Sequence, residues 1–164
     1  MNSFEIIVGD ALHALRKMEA ESIDCCVTSP PYYGLRDYGV DGQYGAEESI
    51  DEYIENMVRV FREVKRVMRK DGTLWLNVGD SYAGSGKGRC ADGHHSGGGK
   101  QETNAGSCIG TITKTQAEGC KAKDLIGVPW MLAFALRADG WYLRQDIIWW
   151  KPNAMPENVR DRCT

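Results

Sequence analysis

The feature that most constrains this 164-residue chain is a strand that stops at two prolines. Ile23-Asp24-Cys25-Cys26-Val27-Thr28 is a compact, mostly apolar run of the length a buried strand has. Ser29-Pro30-Pro31-Tyr32-Tyr33 follows at once. Proline lacks an N–H and fixes φ, so Pro30 and Pro31 cannot continue a central strand. The chain has to leave the sheet there, presenting Ser29, the Pro30 carbonyl and the Tyr32 ring at the strand's carboxyl end. In open α/β sheets that is where ligands bind.

The flanking segments read as further α/β elements. Phe4–Val8 predicts a short strand, and Asp10 an N-cap for a helix with Leu12, Leu15 and Met18 on one side. A long helix is expected from Ser49 or Asp51 to about Lys70, with Ser49 and Glu52 as a capping box. Its apolar stripe is Ile54, Met57, Val58, Phe61, Val64 and Met68, and Gly72 supplies a C-terminal glycine. Leu74–Val78 predicts a buried strand ending at Asp80. Another helix opens at Asp124, or nearer Gly127 because of Pro129, and ends at Gly140. Trp141–Trp150 predicts the last strand, with Trp149 and Trp150 packing. Tyr33–Gly39 is expected to be a loop, and 84–121 a flexible glycine-rich insertion.

Several chemistries are excluded or weakened. No apolar run approaches the ~20 residues that span a bilayer. Met1–Glu5 has neither a basic flank nor an apolar signal core, which argues for a cytoplasmic protein. Six cysteines without metal-ligand spacing read as reduced thiols. Gly84-Ser85-Gly86-Lys87-Gly88 fails as a phosphate-binding P-loop, because position 81 is Ser and position 88 is Gly. His94 and His95 beside Cys90 lack further ligands at suitable spacing, so no metal is expected. Net charge is −3, but residues 1–57 carry three bases against twelve acids and residues 58–83 six against three. A polyanion would meet the middle of the chain, unless the basic helix Arg59–Lys70 is only a solvated face.

Taken together, Gly9-Asp10-Ala11-Leu12 and Asp24 ahead of Thr28-Ser29-Pro30-Pro31-Tyr32 resemble the DNA methyltransferases that modify exocyclic amino groups. Lys123–Trp130, Asp139–Arg144 and Ile148–Asn153 with Met155-Pro156-Glu157 agree. The chain is similar to the phage and bacterial branch in which the catalytic motif precedes the cofactor motif. The resemblance implies one catalytic region over 1–164, part of a Rossmann-like sheet with flanking helices. It implies S-adenosylmethionine as methyl donor and double-stranded DNA as substrate. Ser29, Pro30, Pro31 and Tyr32 are then catalytic, Asp10 and Thr28 border the donor, and Tyr33, Arg36, Lys151 and Asn153 face nucleic acid.

These residue types suit that chemistry. An exocyclic amino group is a poor nucleophile because its lone pair is delocalised into the ring. Accepting both of its N–H bonds favours a tetrahedral nitrogen with an available lone pair. Ser29 Oγ and the Pro30 carbonyl are placed to be those acceptors, preorganised by the prolines. Tyr32 offers a ring to stack on the base, which must leave the duplex. Carbon-5 methylation of cytosine needs a cysteine nucleophile in a Pro-Cys pair, and no Pro-Cys occurs. Ser rather than Asp or Asn before the prolines resembles cytosine more than adenine amino-methylation, with adenine the alternative.

The family's Phe-x-Gly-x-Gly-type cofactor loop has no counterpart in 1–164. The expectation is a sheet with unpaired edges and exposed apolar surface. A second polypeptide or a second copy would supply the rest; otherwise the chain is an inactive DNA- or partner-binding remnant. The isolated chain is expected to bind S-adenosylmethionine poorly.

Overall fold

A computed structural model describes residues 4–36, 38–83, 117–121 and 124–153. The elements run α1 (Ala11–Lys17), β1 (Ile23–Thr28), α2 (Ile50–Val67), β2 (Met68–Leu76) and α3 (Val128–Ala138). β1 and β2 pair in parallel as a two-stranded sheet, with α2 as the crossover between them. This is a small α/β arrangement.

The local signals act where the chain predicts. Asp10 Oδ1 accepts from the His13 N–H at 2.7 Å and starts α1. Ser49 Oγ accepts from the Glu52 N–H at 3.1 Å and starts α2. The buried stripe of α2 is Ile50, Tyr53, Met57, Phe61, Val64 and Val67, rotated slightly from the expected one; Ile54 and Val58 are half-buried. It packs with Val128, Leu132 and Leu136 of α3 to form the core.

α2 ends at Val67 rather than near Lys70. Met68 is already extended (φ −76°, ψ 145°) and pairs with Ile23, so Lys70-Asp71-Gly72 belongs to β2 and not to a helix cap. The step from Ile23 to Cys25 on β1 is matched by Met68 to Thr73 on β2, a bulge that the ladder accommodates. Gly72 is needed for close approach: a Cβ there would lie 2.9 Å from the Asp24 carbonyl oxygen and 3.0 Å from that of Arg69.

Three basic residues of α2, Arg62, Lys65 and Arg66, hold the C-terminal ends of neighbouring helices. Arg66 donates to the Leu15 and Met18 carbonyls at 2.8 and 3.1 Å, closing the C-terminus of α1. Lys65 donates to the Asp139 and Gly140 carbonyls at 3.2 and 2.8 Å, and Arg62 pairs with Asp139 at 2.6 Å, both closing α3. Cations suit helix C-termini, where carbonyls lack partners.

Two expected strands are not strands among the described residues. Phe4–Val8 and Trp141–Trp150 are irregular and pair with neither β1 nor β2. A strand needs a neighbour for its N–H and C=O groups, and among the described residues neither segment has one. Trp141 packs against the core, but the other large apolar side chains of the two segments stand in solvent: Val8 is 91% exposed and Ile148 84%. Trp149 and Trp150, expected to pack, are exposed too, as are Val27 and Trp75 on the sheet itself. Parallel sheets are normally covered on both faces, so this surface is of the kind another element covers. The free cysteines among the described residues are Cys25, Cys26 and Cys120, with Cys25 exposed and Cys26 half-buried on alternate sides of β1. No helix among the described residues is long and apolar enough to cross a membrane. The glycine-rich 84–116, with Cys90, His94 and His95, lies outside the described residues.

Candidate active site

The parallel ladder carries past the named strands, with the Asn77 N–H donating to the Thr28 carbonyl at 2.9 Å. The prolines then turn the chain out at the carboxyl end of β1. Ser29 is exposed, while Pro30, Pro31 and Tyr32 are half-buried. Ser29 Oγ donates to Tyr32 Oη at 3.3 Å. A hydroxyl has one donor and two acceptor sites, so that arrangement leaves the Ser29 lone pairs as acceptors.

The turn is braced from three sides. Tyr53, fully buried on α2, donates its hydroxyl to the Pro31 carbonyl at 3.0 Å. Burial pushes the Tyr53 phenol well above its ordinary pKa, with Glu47 and Tyr32 adding to the effect, so it remains a donor at any physiological pH. Gly45 sits at φ +87°, where an L side chain is strained, and a Cβ there would meet the Tyr32 carbonyl oxygen at 2.8 Å and Pro31 Cβ at 3.2 Å. Its N–H donates to Glu47 Oε2 at 2.7 Å, and Glu47 Oε1 accepts from Asn56 of α2 at 3.2 Å. On the third side, a Cβ at Gly79 would lie 2.9 Å from Tyr32 Cδ2 and Cε2.

The loop after the turn is tied back as well. Gly34 N–H donates to the Gly45 carbonyl at 2.8 Å and Ser81 Oγ to the Tyr33 carbonyl at 2.6 Å. Gln43 brackets the next stretch, donating to the Arg36 carbonyl at 2.9 Å and accepting from the Tyr38 N–H at 2.6 Å. The adjacent residue Asp80 caps α3 from a distance in sequence. Its carboxylate accepts from the Gly127, Val128 and Ser81 N–H groups at 3.0, 2.9 and 2.8 Å.

Of the residues singled out from sequence, Ser29, Pro30, Pro31 and Tyr32 share one turn, with Thr28 at its root. Arg36 is exposed on the following loop. Tyr33 needs correcting: its ring is 3% exposed and packs on Tyr53 with centroids 5.6 Å apart, so it is a core residue rather than a nucleic-acid contact. Asp10 is exposed with Oδ1 committed to the start of α1. Lys151 and Asn153 lie exposed at the end of the 141–153 segment, and no hydrogen bond among the described residues joins them to the turn. Sequence reasoning missed Tyr53, Gln43, Gly45, Glu47 and Gly79, and took Asp80 only as a strand end. Tyr53 was visible as the position between Ile50 and Met57 on the buried stripe; the others carry no local signal.

A DNA methylase family model matches residues 23–164. The chain is 54% identical over 164 residues, all of its length, to the Type II methyltransferase M.SmaI of Serratia marcescens, covering 53% of that protein. It is 49% identical over 164 residues to the Type II methyltransferase M.Cfr9I of Citrobacter freundii, covering 52% of it. It is 49% identical over 154 residues to M.XycI of Xanthomonas campestris pv. cyanopsidis, covering 48% of it. The chain thus spans about half the length of these relatives.

Proposed function

Because the chain belongs to the DNA methylase family, we propose that it carries the catalytic turn of an S-adenosylmethionine-dependent DNA amino-methyltransferase acting on cytosine. The observation that carries this reading is the braced turn at the carboxyl end of β1, where an exposed Ser29 is left with its lone pairs as acceptors. A cytosine turned out of the duplex brings its amino group to Ser29 Oγ and the Pro30 carbonyl, while its ring stacks on Tyr32. The Tyr53 hydroxyl and Gly45 hold the turn before the substrate arrives, so little reorganisation accompanies reaction. Arg36, Lys151 and Asn153 are exposed and suit phosphate or base-edge contacts in double-stranded DNA.

When bound, the donor supplies a methyl group already activated on a sulfonium. The strand ends at Thr28 and Asn77 fit one wall of a site for it, and Asp10 stands at the head of α1. The remaining wall and further strands of a Rossmann-like sheet belong to the part of the relatives that this chain does not span, whether in the same polypeptide or in a second one. The unpaired apolar segments Phe4–Val8 and Tyr142–Trp150 support this view.

The test is transfer of labelled methyl from S-adenosylmethionine to mixed-sequence DNA, by the chain alone and with the missing half supplied. Transfer that needs the second half, disappears with Ser29→Ala and yields N4-methylcytosine is the expected result. N6-methyladenine in the product would replace the cytosine assignment with adenine. Full transfer by the Ser29→Ala chain would overturn the role of the turn.

A further inference from the structure

Gly79 is a glycine for a reason its own backbone does not give. Its φ is not among the positive values that Gly9, Gly34, Gly45, Gly127 and others adopt. An L-residue could take this conformation without strain. What excludes a side chain is the Tyr32 ring: a Cβ at position 79 would lie 2.9 Å from both Cδ2 and Cε2. Carbon atoms rest ~3.5–4.0 Å apart, so the ring would have to retreat by roughly 0.6 Å or more. The same ring carries the hydroxyl that accepts from Ser29 Oγ at 3.3 Å. That contact is already long, so it depends on where the ring lies.

From this geometry we propose that Gly79 is a positioning residue of the methyl-transfer site, setting through its missing side chain where the Tyr32 ring lies and how it meets Ser29. Tyr53 secures the same residue through the peptide before it, by its bond to the Pro31 carbonyl. The floor of the stacking site is therefore the backbone after β2, outside the Ser-Pro-Pro-Tyr motif. The inference rests on the proposed catalytic role of Ser29 and Tyr32. A substituent at 79 acts on the base only through Tyr32, so its effect must vanish once Tyr32 is removed.

The experiment uses fluorotyrosine in the full chain, which has seven tyrosines, with the Tyr32 signal assigned by Tyr32→Phe. In Gly79→Ala the Tyr32 fluorine resonance is expected to move while those of Tyr33 and Tyr53 stay, with the urea midpoint little changed. In the complemented enzyme, Gly79→Ala is expected to lower kcat about 10- to 100-fold, as misplacement near 1 Å does. It should add no further loss in a Tyr32→Ala background. Tyr53→Phe provides a second variant that moves the Tyr32 signal without adding volume. A Tyr32 signal unmoved by Gly79→Ala overturns the inference whatever the enzyme assay gives. So does a moved signal with unchanged kcat, or a loss that persists without Tyr32. A moved signal with a wild-type complemented enzyme that transfers no methyl leaves the cradle standing and overturns the catalytic reading instead.

Discussion

Asp80 offers a sharp test of how the site is anchored. Among the described residues its carboxylate is the only acceptor for three N–H groups: those of Ser81, Gly127 and Val128, at 2.8 to 3.0 Å. Gly127 stands at the N-cap position in the left-handed region and has no side chain to cap α3. Asp80→Ala removes all three bonds. Val128 is fully buried, so its N–H finds no water, and an unsatisfied buried donor costs ~1–3 kcal/mol. Loss of a helix N-cap costs ~0.5–2 kcal/mol. These two overlap at Val128 and are not summed, which leaves about 2–3 kcal/mol. For a domain of this size each 1 kcal/mol moves Tm by ~2–4 °C, so a fall of about 4–12 °C is expected. Asp80→Asn keeps one acceptor oxygen and loses the charge at the positive end of α3, a cost of ~1 kcal/mol or less. Urea unfolding of the three proteins reads both numbers. A loss below about 0.5 kcal/mol for Asp80→Ala, or an Asn variant as weak as the Ala one, would refute the capping argument.

Other outcomes follow from the same contacts. Gly72→Ala places a Cβ against two backbone oxygens that cannot swing away, and overpacking of this kind costs ~1–3 kcal/mol by urea unfolding. The Tyr53 phenol is pushed up by burial, so the folded state keeps a proton that the unfolded chain releases near pH ~10. Stability is therefore fully present below that pH and falls as pH rises above it, and Tyr53→Phe should flatten part of the fall in unfolding measured from pH 9 to 11. Ile148→Lys, at an exposed position, should change stability by no more than ~0.5 kcal/mol in urea unfolding.

The parts of the fold legible in the sequence are those decided within a few residues. The proline stop after Thr28 lies where the pattern puts it. So do the Asp10 and Ser49 caps, because each is a side chain meeting an N–H three positions on. The misreadings come from partners far along the chain. Phe4–Val8 and Trp141–Trp150 have strand-like composition, but a ladder needs a neighbour that composition does not supply. Gly72 looked like a helix stop, whereas its small size answers to the Asp24 carbonyl across the sheet. Tyr33 stands in the sequence as the start of a loop facing nucleic acid, and its place beside Tyr53 follows from how α2 lies under the turn. The bracing by Tyr53, Gly45 and Gly79 was equally hidden, since each acts on Pro31 or Tyr32 from a separate segment. The motif marks where the turn lies, and the surrounding chain determines its geometry.

Whether this chain supplies a working catalytic turn is decided by grafting residues 1–164 in place of the matching half of the Serratia relative and measuring methyl transfer to DNA. The graft is expected to methylate an exocyclic amino group, and Ser29→Ala in the graft to abolish transfer. A folded graft that transfers no methyl while the parent enzyme does, or one indifferent to Ser29→Ala, would contradict that expectation.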